Sequence, residues 1–237
     1  MRASCEHDSG RRNGFSPAVE RRDVFPELIE TERLRLERFD AAVDPQTFYR
    51  HAGRSETVAE ETTYVTWSPH AHAKESTNVI GAFRDDWENN ESATYAVVPR
   101  DGENGAGTFA GNTGLAFEWD HRRVIPGIWL RNPFWGRGYS GERAIALARL
   151  AFERFGMDVF AVDVLPDNEA SVRAIERYVD RLGGRRTGRL RNHAVDDDGT
   201  PHDVIRYSVS REEYDAADPD AHVTFHDTLD ESALRTE

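Results

Sequence analysis

The stretch Asn132-Pro-Phe-Trp-Gly-Arg-Gly-Tyr-Ser-Gly-Glu142 decides the fold. It joins an apolar segment, 124–130, to an amphipathic one through glycines at 136, 138 and 141. Behind it, Ala144, Leu147, Ala148, Ala151, Phe152 and Phe155 recur at helical spacing and line one apolar face. The unit reads as strand, glycine turn, helix. Glycine lets a backbone approach a ligand closely, and a helix N-terminus offers unpaired N–H groups and a positive dipole. Together they make a site for phosphate or diphosphate; glycines that only shape the turn are the alternative. The Gly-Lys-Ser/Thr ending of a Walker A loop is absent. Glycines 136, 138 and 141 do fit G-x-G-x-x-G, but no acidic residue about 20 positions on closes a first βαβ unit.

Working outward, the chain alternates strands and helices. Arg33–Arg38 alternates polar and apolar residues, the pattern of a half-buried strand. Residues 45–86 read as helical but broken at Ser68-Pro69. Strands are expected at 93–98 and 108–119, with a Gly-rich turn at 101–107. Segment 124–130 is a short strand interrupted by Pro126-Gly127, and the helix after it spans about 138–155. Apolar, β-branched 158–165 is a buried strand. Asp167 is placed to cap a helix running to about Leu182, which Gly183-Gly184 stops. Strands at 185–192 and 202–209 complete an α/β or α+β sheet crossed by a few helices.

The 237 residues carry 30 basic and 43 acidic side chains, a formal net charge of −13. That acidity argues against a nucleic-acid partner, which needs a basic surface. No apolar run approaches the roughly 18 residues of a membrane span, and the polar start is no secretory signal. A soluble cytoplasmic protein is expected, without a membrane partner. Cys5 is the only cysteine, so no intramolecular disulfide or cysteine-based zinc cluster can form, and no metal is expected. Lys74 is the only lysine. An acidic, lysine-poor surface suits a halophile's cytosol, where molar salt screens repulsion among carboxylates; an ordinary acidic protein short of lysine is the alternative. Residues 213–237 hold eight acidic residues and one arginine and read as an acidic C-terminal tail. Residues 1–23 read as a polar N-terminal tail, which leaves one domain at 24–212.

Trp135-Gly-Arg-Gly-Tyr-Ser-Gly-Glu142 resembles the acetyl-CoA loop of the GNAT N-acetyltransferases, in their RimJ/RimL-like branch. Leu165-Pro-Asp-Asn-Glu-Ala-Ser171 is similar to that branch's strand-to-helix N-x-x-S segment. Leu28-Ile-Glu-Thr-Glu-Arg-Leu-Arg-Leu36 looks like its first strand, and Ala110-Gly-Asn-Thr-Gly-Leu115 like its I-G-x-x-G strand. These matches run in family order over roughly residues 27–210. The resemblance implies a mixed, mostly antiparallel twisted sheet flanked by helices. It also implies acetyl transfer from acetyl-CoA to a primary amine, on a protein N-terminus or a small molecule, by direct attack. A non-catalytic acyl-CoA-binding sensor and a phosphate-binding regulator are the alternatives, and a monomer or homodimer is expected.

The resemblance places the backbone near Trp129, Leu130 and Arg131 along the pantetheine arm, like an added strand. The loop Trp135, Gly136, Arg137, Gly138, Tyr139, Ser140 and Gly141 would hold the diphosphate. Asn168 would reach the cofactor arm and Ser171 its sulfur, though both residues also suit helix capping. Ser171 is the first candidate to protonate the departing thiolate, and Tyr178 the second. Where some relatives carry a glutamate before this strand, the chain has Pro126, which cannot be a base. Glu118, or else Asp120 or His121, is the substitute.

Three further features carry less. His70 and His72 are expected as exposed loop histidines rather than metal ligands. Of Tyr64, Trp67, Phe83 and Trp87, most should be core and one or two should line the acceptor cleft. The run Arg185-Arg186 and Arg189-Leu-Arg191 is read as a solvated strand edge paired with acids, with contact to an anionic substrate the alternative.

Overall fold

The first strands, β1 (Leu28–Glu30) and β2 (Leu34–Arg38), pair as a hairpin, and period-two alternation sets β2. The computed structural model describes residues 24–227. Four helices follow: α1 (Phe39–Ala42), α2 (Pro45–Ala52), α3 (Val58–Glu61) and α4 (Ala73–Glu88). Asp44 caps α2, its carboxylate accepting from the N–H groups of Gln46 and Thr47, with Pro45 preset at the first helical position. Then come β3 (Ser92–Pro99), β4 (Gly111–Glu118), β5 (Arg123–Leu130), α5 (Tyr139–Arg149), β6 (Val159–Val164), α6 (Glu169–Arg181), β7 (Arg185–Val195), β8 (Pro201–Ser210), α7 (Arg211–Ala217) and β9 (Thr224–His226).

The sheet order is β7-β8-β6-β5-β4-β3-β2-β1-β9. Every neighbouring pair is antiparallel except β5 and β6, which run parallel. The mixed, mostly antiparallel sheet thus agrees with the expected class. One core lies between the sheet and α5 and α6, where Phe152, Phe160, Leu147 and Ile175 are buried. A second, smaller one sits under α1–α4 on the opposite face, built from Phe39, Phe48, Phe109 and Trp129. Edge-to-face ring contacts tie it together, such as Phe39–Phe48 at 5.0 Å.

Several expectations change. The domain does not stop at 212. Ser210 and Glu213 form a reciprocal capping box that starts α7, Tyr214 is buried, and β9 pairs with β1 at the sheet edge. Carboxylates at the N-terminus of α7 suit the helix dipole, so an acidic composition did not prevent order there. The remainder of the two expected tails, 1–23 and 228–237, lies outside the described residues. β5 is one eight-residue strand that runs through Pro126 without a break. The cap of α6 is Asn168, not Asp167: its side chain accepts from the Ser171 N–H at 3.1 Å. His70 is buried, with Nδ1 2.8 Å from Ser76 Oγ, and burial lowers its pKa.

Gly111 shows what the β4–β5 pairing requires. Its φ is +147°, and a β-carbon there would meet the Trp129 carbonyl oxygen at 2.1 Å. Gly111→Ala should therefore destabilise the protein by about 2–3 kcal/mol. The expected drop in Tm, about 5–10 °C by scanning calorimetry, follows the usual scaling for a chain of this size.

The helical layer carries a pH dependence. His51 of α2 lies with its ring 6.0 Å from that of Phe109, and its pKa is lowered from 6.5 to about 4. Burial is the main cause, followed by the nearby charges of Arg131 and Arg50. The folded state prefers neutral His51, so its contribution is intact above pH 6.5 and is lost as pH falls toward 4. His51→Asn should flatten the fall of Tm over that interval relative to the wild type. Parallel curves would assign the acid sensitivity to other groups.

Candidate active site

The site begins with a gap in the sheet. β5 and β6 pair at only two positions, Arg123–Val159 and Val124–Phe160. Beyond these they diverge, while β4 stays paired along all of β5 and β8 along all of β6. A wedge therefore opens toward the C-terminal ends of two parallel strands, the place where α/β sheets bind ligands. Backbone direction alternates along β5. The Arg122 carbonyl bonds toward β6, to the N–H groups of Asp158 and Val159, whereas the Arg131 N–H bonds to Ala110 on the β4 side. Even-numbered residues thus face the wedge.

That alternation explains Pro126. Its nitrogen, which has no hydrogen, points into the wedge, where no ladder bond is lost. It also sorts the expected backbone contacts. Leu130 faces the wedge, but Trp129 and Arg131 face β4, and Ile128, which the sequence reading missed, takes their place. The Leu130 carbonyl accepts from the Trp135 indole at 2.6 Å, which leaves its N–H for a ligand.

The wedge leads up to the glycine loop. Gly136 and Gly138 have φ of +74° and +81°, so these two glycines are demanded by the backbone. Gly141 is helical, and its N–H already bonds to the Gly138 carbonyl at 3.1 Å. Among the described residues, the N–H groups of Gly136, Arg137, Gly138, Tyr139 and Ser140 find no acceptor. They form a continuous run of donors at the positive end of α5. Arg137 adds a cation, stacked 5.0 Å from the Phe134 ring, with Nη1 donating to the Asn104 carbonyl. Trp135 is exposed, whereas the Tyr139 ring is buried and its hydroxyl donates to Glu103 at 2.7 Å. Tyr139 therefore contributes its backbone, not its side chain.

A clamp missed by the sequence reading fixes this loop. Glu142 accepts from Thr31 Oγ1 at 2.6 Å and from the Arg33 N–H at 2.8 Å, and pairs with the Arg33 guanidinium at 2.7 Å. Arg33 Nη1 also donates to the Arg137 carbonyl at 3.0 Å. The segment 28–36 reads as a strand from sequence, but a pairing across 109 residues leaves no local signal.

Ser171 sits half-buried in the first turn of α6, beside the loop 165–168 that leaves β6. Tyr178 is seven residues further, about 10.5 Å along the axis. Burial pushes its pKa up to about 12. A cavity of about 440 Å³ adjoins the same loop, with Tyr64, Asp167, Arg189, His202 and Asp203 in its walls. His202 Nε2 lies 2.9 Å from Asp196 Oδ2. Of the four aromatics singled out, Tyr64 lines this cavity and Trp87 is deep core. A cavity of about 490 Å³ near Arg149 and Tyr214 lies away from the wedge.

Glu118 does not face the cleft. It ends β4 opposite Arg123, at the closed end of the wedge, and pairs with the Arg123 guanidinium. Asp120 and His121 occupy the exposed turn beside it. The basic run lies on the edge strand β7, where Arg189 pairs with Asp203 at 2.9 Å and Arg185 with Glu213. Among the described residues, no group of three or more His, Cys, Asp or Glu is arranged to hold a metal. No helix of the described residues is long and apolar enough to cross a membrane.

Known proteins share this architecture. The chain is 24% identical over 186 residues to the uncharacterized N-acetyltransferase YoaA of Bacillus subtilis, covering 78% of this chain and 97% of that protein. A Vibrio cholerae structure described as a candidate ribosomal-protein-serine acetyltransferase superposes with TM-score 0.62 at 22% identity, over 78% of this chain and 99% of that one. The microcin C7 self-immunity acetyltransferase MccE, solved with acetyl-CoA and AMP, superposes with TM-score 0.61 at 17% identity, over 76% and 93%. The model of the acetyltransferase (GNAT) domain matches residues 33–178, which include the wedge, the donor loop, Ser171 and Tyr178. The chain therefore belongs to the GNAT acetyltransferase family and is an acyltransferase.

Proposed function

We propose that the protein transfers the acetyl group of acetyl-CoA to a primary amine, on a protein N-terminus or a small molecule, in the manner of the RimJ/RimL-like branch. The observation that carries the donor is the row of free N–H groups from Gly136 to Ser140 above an open strand edge. The N–H row suits a diphosphate, and the free edge of Ile128 and Leu130 suits the amides of a pantetheine arm. The likeness of the loop 135–142 and of the segment 165–171 to that branch supports the acceptor class. The lysine-poor acidic composition supports work in a salt-rich cytoplasm.

Acetyl-CoA supplies the activated thioester when bound. The amine enters through the cavity beside the loop 165–168 and attacks the acetyl carbon, and the carbon–sulfur bond breaks. Ser171 donates a proton to the departing sulfur. Its hydroxyl has no partner among the described residues, while its N–H is bound by Asn168. With Glu118 tied to Arg123, the proton lost by the amine passes to a cavity-lining group. His202, oriented by Asp196, is the group there of the type most used as a general base. A second reading, a sensor that binds acyl-CoA without catalysis, draws on Pro126 standing where some relatives carry a base.

Three measurements test the acetyltransferase reading. Acetyl-CoA at about 100 times its Kd should raise stability by about 2.7 kcal/mol, visible as a higher Tm, whereas ATP should not. Ser171→Ala should lower kcat by about 100-fold with the KM for acetyl-CoA nearly unchanged. His202→Gln should lower kcat by about 100-fold with acetyl-CoA binding retained. Binding of acetyl-CoA without CoA release across an amine panel would favour the sensor.

A further inference from the structure

Arg143 stands in the second turn of α5 and is 2% exposed, as is Tyr178. The guanidinium carbon lies 5.9 Å from the Tyr178 ring centroid. Nε and Nη1 of Arg143 and the hydroxyl of Tyr178 are all buried, and none has a hydrogen-bond partner among the described residues. The two groups are close enough for their charges to interact, but their geometry makes no bond. Three carboxylates on the neighbouring elements are committed elsewhere. Glu142 holds Thr31 and Arg33, Glu103 holds Tyr139, and Glu176 holds Tyr207. Desolvation lowers the Arg143 pKa, yet an arginine keeps its charge.

A buried cation without a counter-charge is costly, and so is each buried donor without an acceptor. The direction of the side chain says what would relieve both. Helical side chains lean toward the N-terminus, so Arg143 extends beneath the first turn of α5. Tyr178 reaches the same turn from α6: a β-carbon placed on Gly141 would lie 3.9 Å from its own. This is the turn that carries the free N–H groups. The Nε–H and Nη1–H of Arg143, the O–H of Tyr178 and the N–H groups of the helix are all donors. The complement of such a set is an anion.

We propose that Arg143 and Tyr178 form a buried donor pair beneath α5 that receives an anionic group of the acyl donor, a diphosphate oxygen or the departing thiolate. The proposal rests on the acetyl-CoA reading above. The ligand-free protein carries an unbalanced charge, and binding of the donor balances it.

The test compares wild type, Arg143→Met and Tyr178→Phe. Calorimetry with acetyl-CoA and ADP gives binding, steady-state CoA release gives turnover, and Tm is taken without ligand. Arg143→Met is expected to keep or raise the ligand-free Tm, by about 2–4 °C where it rises. It should also lose about tenfold or more in acetyl-CoA affinity or in kcat. Tyr178→Phe should lose about threefold in the same quantity. Equal losses for acetyl-CoA and ADP assign the anion to the diphosphate; a loss in kcat at unchanged affinity assigns it to the thiolate. Wild-type affinity and kcat in Arg143→Met overturn the proposal. So does a Tm several degrees lower, or a variant that does not fold, since Arg143 would then be a structural residue. A wild-type protein that binds no acetyl-CoA overturns the cofactor reading and this proposal with it.

Discussion

The parallel contact between β5 and β6 spans two residue pairs, and the rest of the molecule is arranged around its brevity. Two strands that diverge inside a sheet leave backbone groups unpaired, and such groups are expensive when dry. The fold tolerates the gap because it opens at the strand ends and because both flanking ladders, β4–β5 and β6–β8, remain complete. Pro126 fits the same logic. At most interior strand positions proline removes a ladder bond, but here its nitrogen faces the opening. A residue that looks like a lesion in a strand is thus compatible with a strand that borders a ligand.

Local signals made much of this legible. The glycine turn, the apolar stripe from Ala144 to Phe155 and the buried strand 159–164 are each set by neighbours in sequence, and they define the wedge and its loop. Reading failed where partners are distant. The hold of Thr31 and Arg33 on Glu142 and the β9–β1 contact join segments whose composition gives no hint of each other, whereas the Arg123 pairing that occupies Glu118 is local and depends on how the turn between β4 and β5 folds. The segment 213–227 is ordered despite its acidic composition, because Ser210 and Glu213 supply a capping box that starts α7.

The arginine-rich composition has a structural counterpart. Arg206 holds both carboxylate oxygens of Asp163 through Nε and Nη2, and Arg33 brings Nε and Nη2 together onto Oε2 of Glu142 while its backbone N–H donates to Oε1. A lysine ammonium makes no such fork. Fixed geometry matters most at Arg33, where the forked contact transmits the position of the first hairpin to the loop whose free N–H groups await a ligand. Against this background of paired arginines, the isolation of Arg143 is a property of its site rather than of the composition.

The cap formed by Asn168 and Ser171 is compatible with the chemistry proposed for them. The cap uses the Asn168 side-chain oxygen and the Ser171 N–H, and so leaves the Asn168 amide and the Ser171 hydroxyl for a ligand. The bond also fixes where the first turn of α6 begins, and with it the position of the hydroxyl relative to the end of β6. A catalytic group on a frayed turn would lose rate through misplacement of about 1 Å. Here the interaction that starts the helix also holds the hydroxyl in place, so the cap would serve the proposed chemistry rather than replace it.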